Sequence, residues 1–234
     1  MRQRFAIIGA FCAHLALCGA AAAEVAAARY EGPTTRYPHG VLGDRVEYGA
    51  LVITRGDGTA VRFELPDHMV FEDIEPRLWD VTGDGAPEVV TVEADQRLGA
   101  RLAIWTADGR LATTPPIGTR FRWLAPIAAA DLDGDGAIEI AYVDRPHLAK
   151  TLRIWRYTDG WLTEVAALPG VSNHKIGWPY LVGGLTSCAG QPALVLASGD
   201  WQRVVAVTFN GAVSARDLGA YSPAALSRAL RNCR

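Results

Sequence analysis

Ala130-Asp-Leu-Asp-Gly-Asp-Gly-Ala-Ile-Glu-Ile140 decides how the rest of the chain is read. Asp131, Asp133 and Asp135 take positions 1, 3 and 5 of a loop, Gly136 permits its bend, Ala137 can offer a carbonyl at position 7, and Glu139 falls at position 9. Four carboxylates in nine residues repel one another unless a cation sits among them, and an all-oxygen set suits calcium better than zinc or copper. An EF-hand would need a bidentate glutamate at position 12, where this loop has Tyr142, and helices on its flanks, where this chain has apolar, strand-like runs.

A second copy lies 51 residues earlier, in Leu78-Trp-Asp-Val-Thr-Gly-Asp-Gly-Ala-Pro-Glu-Val-Val90. There Asp80, Thr82, Asp84, the Ala86 carbonyl and Glu88 occupy the ligand places, and Thr91 stands at position 12. A hydroxyl in place of one carboxylate predicts weaker calcium binding. Asp57-Gly58, Asp108-Gly109, Asp159-Gly160 and Asn210-Gly211 recur at the same interval of 51, each between two apolar runs. Such dipeptides are the preferred hairpin turns, because both central positions require positive φ. Each unit therefore reads as strand, acidic loop, strand, hairpin, strand.

Units of this length cannot bury their own faces and must stack, as propeller blades do. The chain is read as all-β: a small or incomplete β-propeller of about four units over residues 24–221, the first without a clear inner strand. Its third acidic stretch, Gly184-Leu-Thr-Ser-Cys-Ala-Gly-Gln-Pro-Ala-Leu-Val-Leu196, has lost every carboxylate, and Cys188 takes the fifth position. Ser222 followed by Pro223 and good helix formers predicts a short C-terminal helix over 222–234.

Residues 1–23 have a basic start, a short apolar run and Ala20 to Ala23 at the end, the pattern of a secretory signal cleaved after about Ala23. The apolar run is shorter than the roughly 20 residues a transmembrane helix needs, so stable membrane insertion is not expected. Without the signal, 21 basic residues face 25 acidic ones, a net charge of −4 with no basic run, which disfavours nucleic acid as a partner. Cys188 and Cys233 alone remain, and in an oxidising compartment they are expected to pair, replacing the lost metal as a staple for the helix. The expected location is periplasmic or secreted.

The first two loops with their apolar flanks resemble the FG-GAP or VCBS repeat of integrin α-chain propellers and of many bacterial secreted proteins. The resemblance implies structural calcium held by Asp80, Asp84, Asp131, Asp133 and Asp135. Glu replaces the family's usual final Asp, and Thr82 replaces a carboxylate.

No nucleophile elbow, phosphate loop or dinucleotide fingerprint is present. His39, His68, His147 and His174 have no zinc-like spacing and read as loop or surface residues. Trp105 and Trp155, at matching repeat positions, read as packing residues; Trp123, Trp178 and Trp201, nearer predicted strand ends, read as packing residues first, with a binding surface as the alternative. The expected function is a calcium-stabilised binding or scaffold module that contacts a protein or a glycan. A polysaccharide lyase or hydrolase with an axial pocket is the alternative, and it requires histidines to meet there with a carboxylate or an arginine. A structural subunit of an envelope complex is the third reading.

Overall fold

The computed structural model describes residues 24–233, so the expected signal segment lies outside the described residues. Seventeen strands and one helix follow one another as four antiparallel units. The first unit is β1 (Val25–Thr34), β2 (Glu47–Arg55) and β3 (Ala60–Glu64), with β2 in the middle. The second is β4 (Met69–Phe71), β5 (Arg77–Trp79), β6 (Glu88–Asp95), β7 (Gly99–Thr106) and β8 (Gly109–Thr113). The third is β9 (Leu124–Ala130), β10 (Glu139–Asp144), β11 (Thr151–Thr158) and β12 (Trp161–Pro169). The fourth is β13 (Val171–Ser172), β14 (Gly184–Cys188), β15 (Gln191–Ser198), β16 (Arg203–Phe209) and β17 (Val213–Ala220), followed by α1 (Pro223–Arg231).

The second, third and fourth units are four-stranded blades once one detail is seen; the first has three strands and is joined to the second by a Tyr48–Phe71 pair between β2 and β4. β4 and β5 both pair with the same edge of β6, and β13 and β14 both pair with β15. Each pair is a single inner strand interrupted by an excursion, of residues 72–76 in the second blade and 173–183 in the fourth. In the third blade β9 runs unbroken, with only a bulge opposite Ala141/Tyr142.

Three apolar layers join the blades. Leu51, Ile53 and Phe71 pack with Val89 and Trp105 between the first and second. Val90, Leu102 and Ile104 meet Leu124, Ile140 and Trp155 between the second and third. Ala141, Leu152 and Ile154 meet Leu194, Leu196 and Val207 between the third and fourth. Central strands thus bury both faces, which is why β6 and β10 read as continuous apolar runs rather than as alternations.

The two outermost faces are covered differently. On the first blade Arg29 and Arg62 flank Val52, Glu31 and Glu64 flank Ala50, and the four charges pair with one another. Their stems leave Val52 only 4% exposed. On the fourth blade α1 lays Leu226 and Ala229 over Ala193, Val195 and Val204. Ser222 caps the helix by accepting from the Ala225 amide, and Pro223 opens it. Cys188 and Cys233 are disulfide-bonded, which ties the chain beyond α1 to the blade.

Two expectations need correction. All four Gly dipeptides are hairpin turns, but only Asp159-Gly160 has positive φ at both places. At Asp57-Gly58, Asp108-Gly109 and Asn210-Gly211 the glycine alone is left-handed; at Asp57 the carboxylate instead accepts from the Thr59 amide. The stretch from Gly184 is also not a degenerate loop: it is β14, and Ala189-Gly190, both with positive φ, form the tight turn into β15. Cys188 is therefore the last residue of a strand.

Candidate functional site

The acidic loops are built by one hydrogen-bond pattern repeated after 51 residues. Asp80 accepts from the amides of Gly83 and Gly85, and Asp131 from those of Gly134 and Gly136. Asp84 and Asp135 accept from Ala86 and Ala137, and Glu88 and Glu139 fold back to the amides of Val81 and Leu132. The loops differ where their sequences differ. In the first, Thr82 donates its amide and hydroxyl to Glu88, which closes the loop on itself.

In the second loop, oxygens of Asp131, Asp133 and Glu139 lie within 4.8 Å of one another, the one such grouping among the described residues. The Arg156 guanidinium reaches Asp133 at 2.8 Å, Asp135 at 2.9 Å and Glu139 at 2.6 Å, so one positive charge already answers part of the repulsion. This all-oxygen set fits calcium, with Asp131, Asp133 and Glu139 as carboxylate donors. The first loop, without a third converging carboxylate, fits it less well.

A second constellation forms where the inner strands converge. Glu72, Trp123 and His174 are spaced 51 residues apart and form a chain of contacts, although the strand register sets them at different places: Glu72 and His174 follow the first half of a broken inner strand, and Trp123 precedes β9. The Trp123 indole donates to the Glu72 carbonyl at 2.8 Å, and the His174 ring meets the Trp123 ring at 4.9 Å. Around them opens a pocket of about 250 Å³, lined by His39, Phe121, Arg122, Trp123, Arg145 and His147 among others. Leu148 and Ile176 stand exposed at its margin.

Each blade or connection supplies a part. His39 comes from the loop between β1 and β2, stacked on Phe121 at 5.1 Å. Phe121, Arg122 and Trp123 lead into β9, held against the β6–β7 turn by bonds from Ala100 to the Arg122 carbonyl and from Gly118 to Leu98. Gly99 is required there: at φ +73 its Cβ would lie 2.1 Å from the Thr119 carbonyl oxygen. Arg145 and His147 follow β10, and His174 begins the excursion of the fourth blade. The Gly177 amide of that excursion bonds to the Val41 carbonyl, linking a connection of the first blade to one of the fourth. Phe121 (φ 56) and Arg145 (φ 47) are both left-handed without being glycine, and such strain concentrates at functional sites.

The charges are arranged with direction. The His174 Nε2 lies 2.8 Å from the Trp178 carbonyl, so it carries the proton; its Nδ1 therefore accepts from His147 Nε2, also at 2.8 Å. His147 is left with a lone pair on Nδ1. Burial, with His174 and His39 nearby, holds His147 down at about 4, and burial also lowers His174. His39 Nδ1 lies 2.5 Å from a carboxyl oxygen of Glu72. Burial pushes Glu72 well up, helped by Asp73, and burial with Arg122 brings His39 down to about 4, so the pair shares one proton without net charge. Glu47, buried beside Glu72, is raised to about 9 by burial first and by Glu72 second. Arg145 is paired with Asp144, whereas Arg122 makes its hydrogen bond to the Phe121 carbonyl.

All four histidines lie in connections, as read; three of them are hydrogen-bonded within this constellation, and only His68 stays outside it, 3.6 Å from Asp95. Trp105, Trp155 and Trp123 are buried, as packing requires. Trp178 and Trp201 are half-buried in an aromatic group with Tyr180 and Tyr221. Glu72, Arg122, Arg145 and Arg156 went unnoticed in the sequence. The 51-residue spacing of Glu72, Trp123 and His174 gave no usable signal, because the residue type changes at each step and the inner-strand register does not keep the period there.

Antiparallel blades around an axis, two of them with an acidic loop between the inner strand and the next, define a β-propeller-type repeat protein. Residues 80–142, which span both loops, match the FG-GAP-like repeat. Among solved structures, quinohemoprotein alcohol dehydrogenase from Comamonas testosteroni is similar at 12% identity and a TM-score of 0.41, the match covering 83% of this chain and 39% of that one. The chain thus spans well under half the length of that protein. No curated protein matches the sequence.

Proposed function

We propose that this chain is an exported binding module, stiffened by calcium at Asp131, Asp133 and Glu139, that engages a protein or glycan partner through the axial pocket. One observation carries this reading: His39, Arg122, Arg145 and His147 come from separate blades and connections, yet line one pocket. Pockets with a mostly apolar wall and a few convergent polar groups are where folded domains bind ligands. The left-handed backbone at Phe121 and Arg145 lies in the connections that carry this lining, which supports it. Export rests on the N-terminal signal pattern and on a disulfide that persists only outside a reducing cytosol.

The test is a screen of the disulfide-bonded chain against a glycan array and against envelope proteins by cross-linking with mass spectrometry. The reading requires a partner whose binding falls at least tenfold in Arg122→Glu. A partner held equally well by that variant moves the binding surface elsewhere.

A second reading, a polysaccharide lyase or hydrolase, is favoured by the directed chain from His147 through His174 to the Trp178 carbonyl, which leaves a neutral lone pair to accept a proton. It requires turnover of a polysaccharide that His147→Ala abolishes while leaving binding in place.

A further inference from the structure

We infer that the axial pocket takes the carboxylate end of an acidic sugar, a hexuronate, with Arg122 meeting the carboxylate and His39 and His147 meeting ring hydroxyls. This inference rests on the pocket reading above and names its ligand.

Charge comes first. The carboxylates near the pocket are spent: Asp144 is held by Arg145 and Arg153, and Glu72 is bonded to His39. Arg122 has no carboxylate partner, and its guanidinium keeps donors beyond the bond to Phe121. A planar fork of this kind recognises a carboxylate in two-point fashion.

Hydrogen-bond direction narrows the class. The chain that ends at the Trp178 carbonyl leaves His147 with an acceptor, not a donor. A sulfate or a phosphodiester has no proton to give such an acceptor at neutral pH. A sugar hydroxyl donates and accepts, so it can answer His147 and His39 together. The apolar part of the wall is Phe121 with Leu148 and Ile176 at the margin, surface suited to the C–H faces of a sugar ring.

Size agrees. At about 250 Å³ the pocket is slightly below the roughly 300–1,000 Å³ usual for ligand sites, which suits one monosaccharide unit better than a peptide segment.

Calorimetric titration of the full disulfide-bonded chain with D-glucuronate, a short oligouronide, D-glucose and inorganic phosphate tests this. The expected result is binding of glucuronate or the oligouronide, with glucose and phosphate at least tenfold weaker. Arg122→Gln should lose tenfold or more in uronate affinity at an unchanged melting temperature, and the distant Trp161→Ser should lose nothing. Equal binding of glucose, equal binding of phosphate, or full retention in Arg122→Gln would each overturn the assignment, as would the absence of any uronate binding. A neutral or protein partner found in the wider screen and lost in Arg122→Glu would leave the pocket reading standing while the uronate assignment falls.

Discussion

The indole of Trp123 donates a 2.8 Å hydrogen bond to the main-chain carbonyl of Glu72, the residue 51 positions earlier, on the preceding blade. The contact joins two blades at different register positions, Glu72 after β4 and Trp123 before β9, and the His174 ring adds a third blade.

Trp123→Phe keeps an aromatic ring but leaves the Glu72 carbonyl without its donor and a gap where the indole was. The expected loss is about 1–3 kcal/mol, read from the urea midpoint. An unchanged midpoint would mean that this contact does not hold the blades together.

Calcium at a hundredfold excess over its dissociation constant should add about 2.7 kcal/mol to the stability of the wild type relative to chelator. Asp133→Ala should lose most of that gain, because Asp133 belongs to the converging set, and Asp84→Ala should lose less. Thermal melts with and without chelator decide this; identical melts would show that Arg156 alone satisfies the loop.

The axis should also impose a pH profile with two opposed limbs. His39 and His147 titrate lower in the fold, at about 4, than the ordinary 6.5, so the unfolded chain takes up protons first and stability falls as pH drops from about 6.5 toward 4. Glu47 titrates higher in the fold, at about 9 against 4.5, so stability falls as pH rises through that interval. Glu47→Gln should therefore stabilise the protein at pH 8, on the order of 2 kcal/mol, and change little at pH 5. Equal effects at both pH values would show that Glu47 is ionised in the fold.

Reduction of the Cys188–Cys233 bond, or Cys233→Ser, opens a loop with a sequence separation of 45 residues. The expected cost is about 4 kcal/mol in the chain-entropy model, and hydrogen exchange in α1 should rise before exchange in β15. Simultaneous exchange would mean that the helix and the last blade open together whatever the bond does.

Much of the fold was legible because its signals are local. Glycine turns, apolar runs and the Asp-x-Asp-Gly-Asp-Gly stretch each report their own few residues, and the interval of 51 assembled them into blades. The broken inner strands were less legible, since Gly184 to Cys188 looked like a loop that had lost its acids, while pairing with β15 made it a strand. The pocket was least legible. His39, Arg122, Arg145 and His147 belong to connections whose lengths follow no period, and only the closure of the blades around one axis brings them together.

The two outer faces, one a lattice of ion pairs around Val52 and the other a helix over Val195, give the stack a polarity. A neighbouring copy that tried to add its last blade to the first would have to strip water from Arg29, Glu31, Arg62 and Glu64 and also dislodge a helix held by a covalent bond. Head-to-tail concatenation is thus disfavoured at both ends by different chemistry, so that even one lost safeguard, such as a reduced disulfide, leaves the other in place.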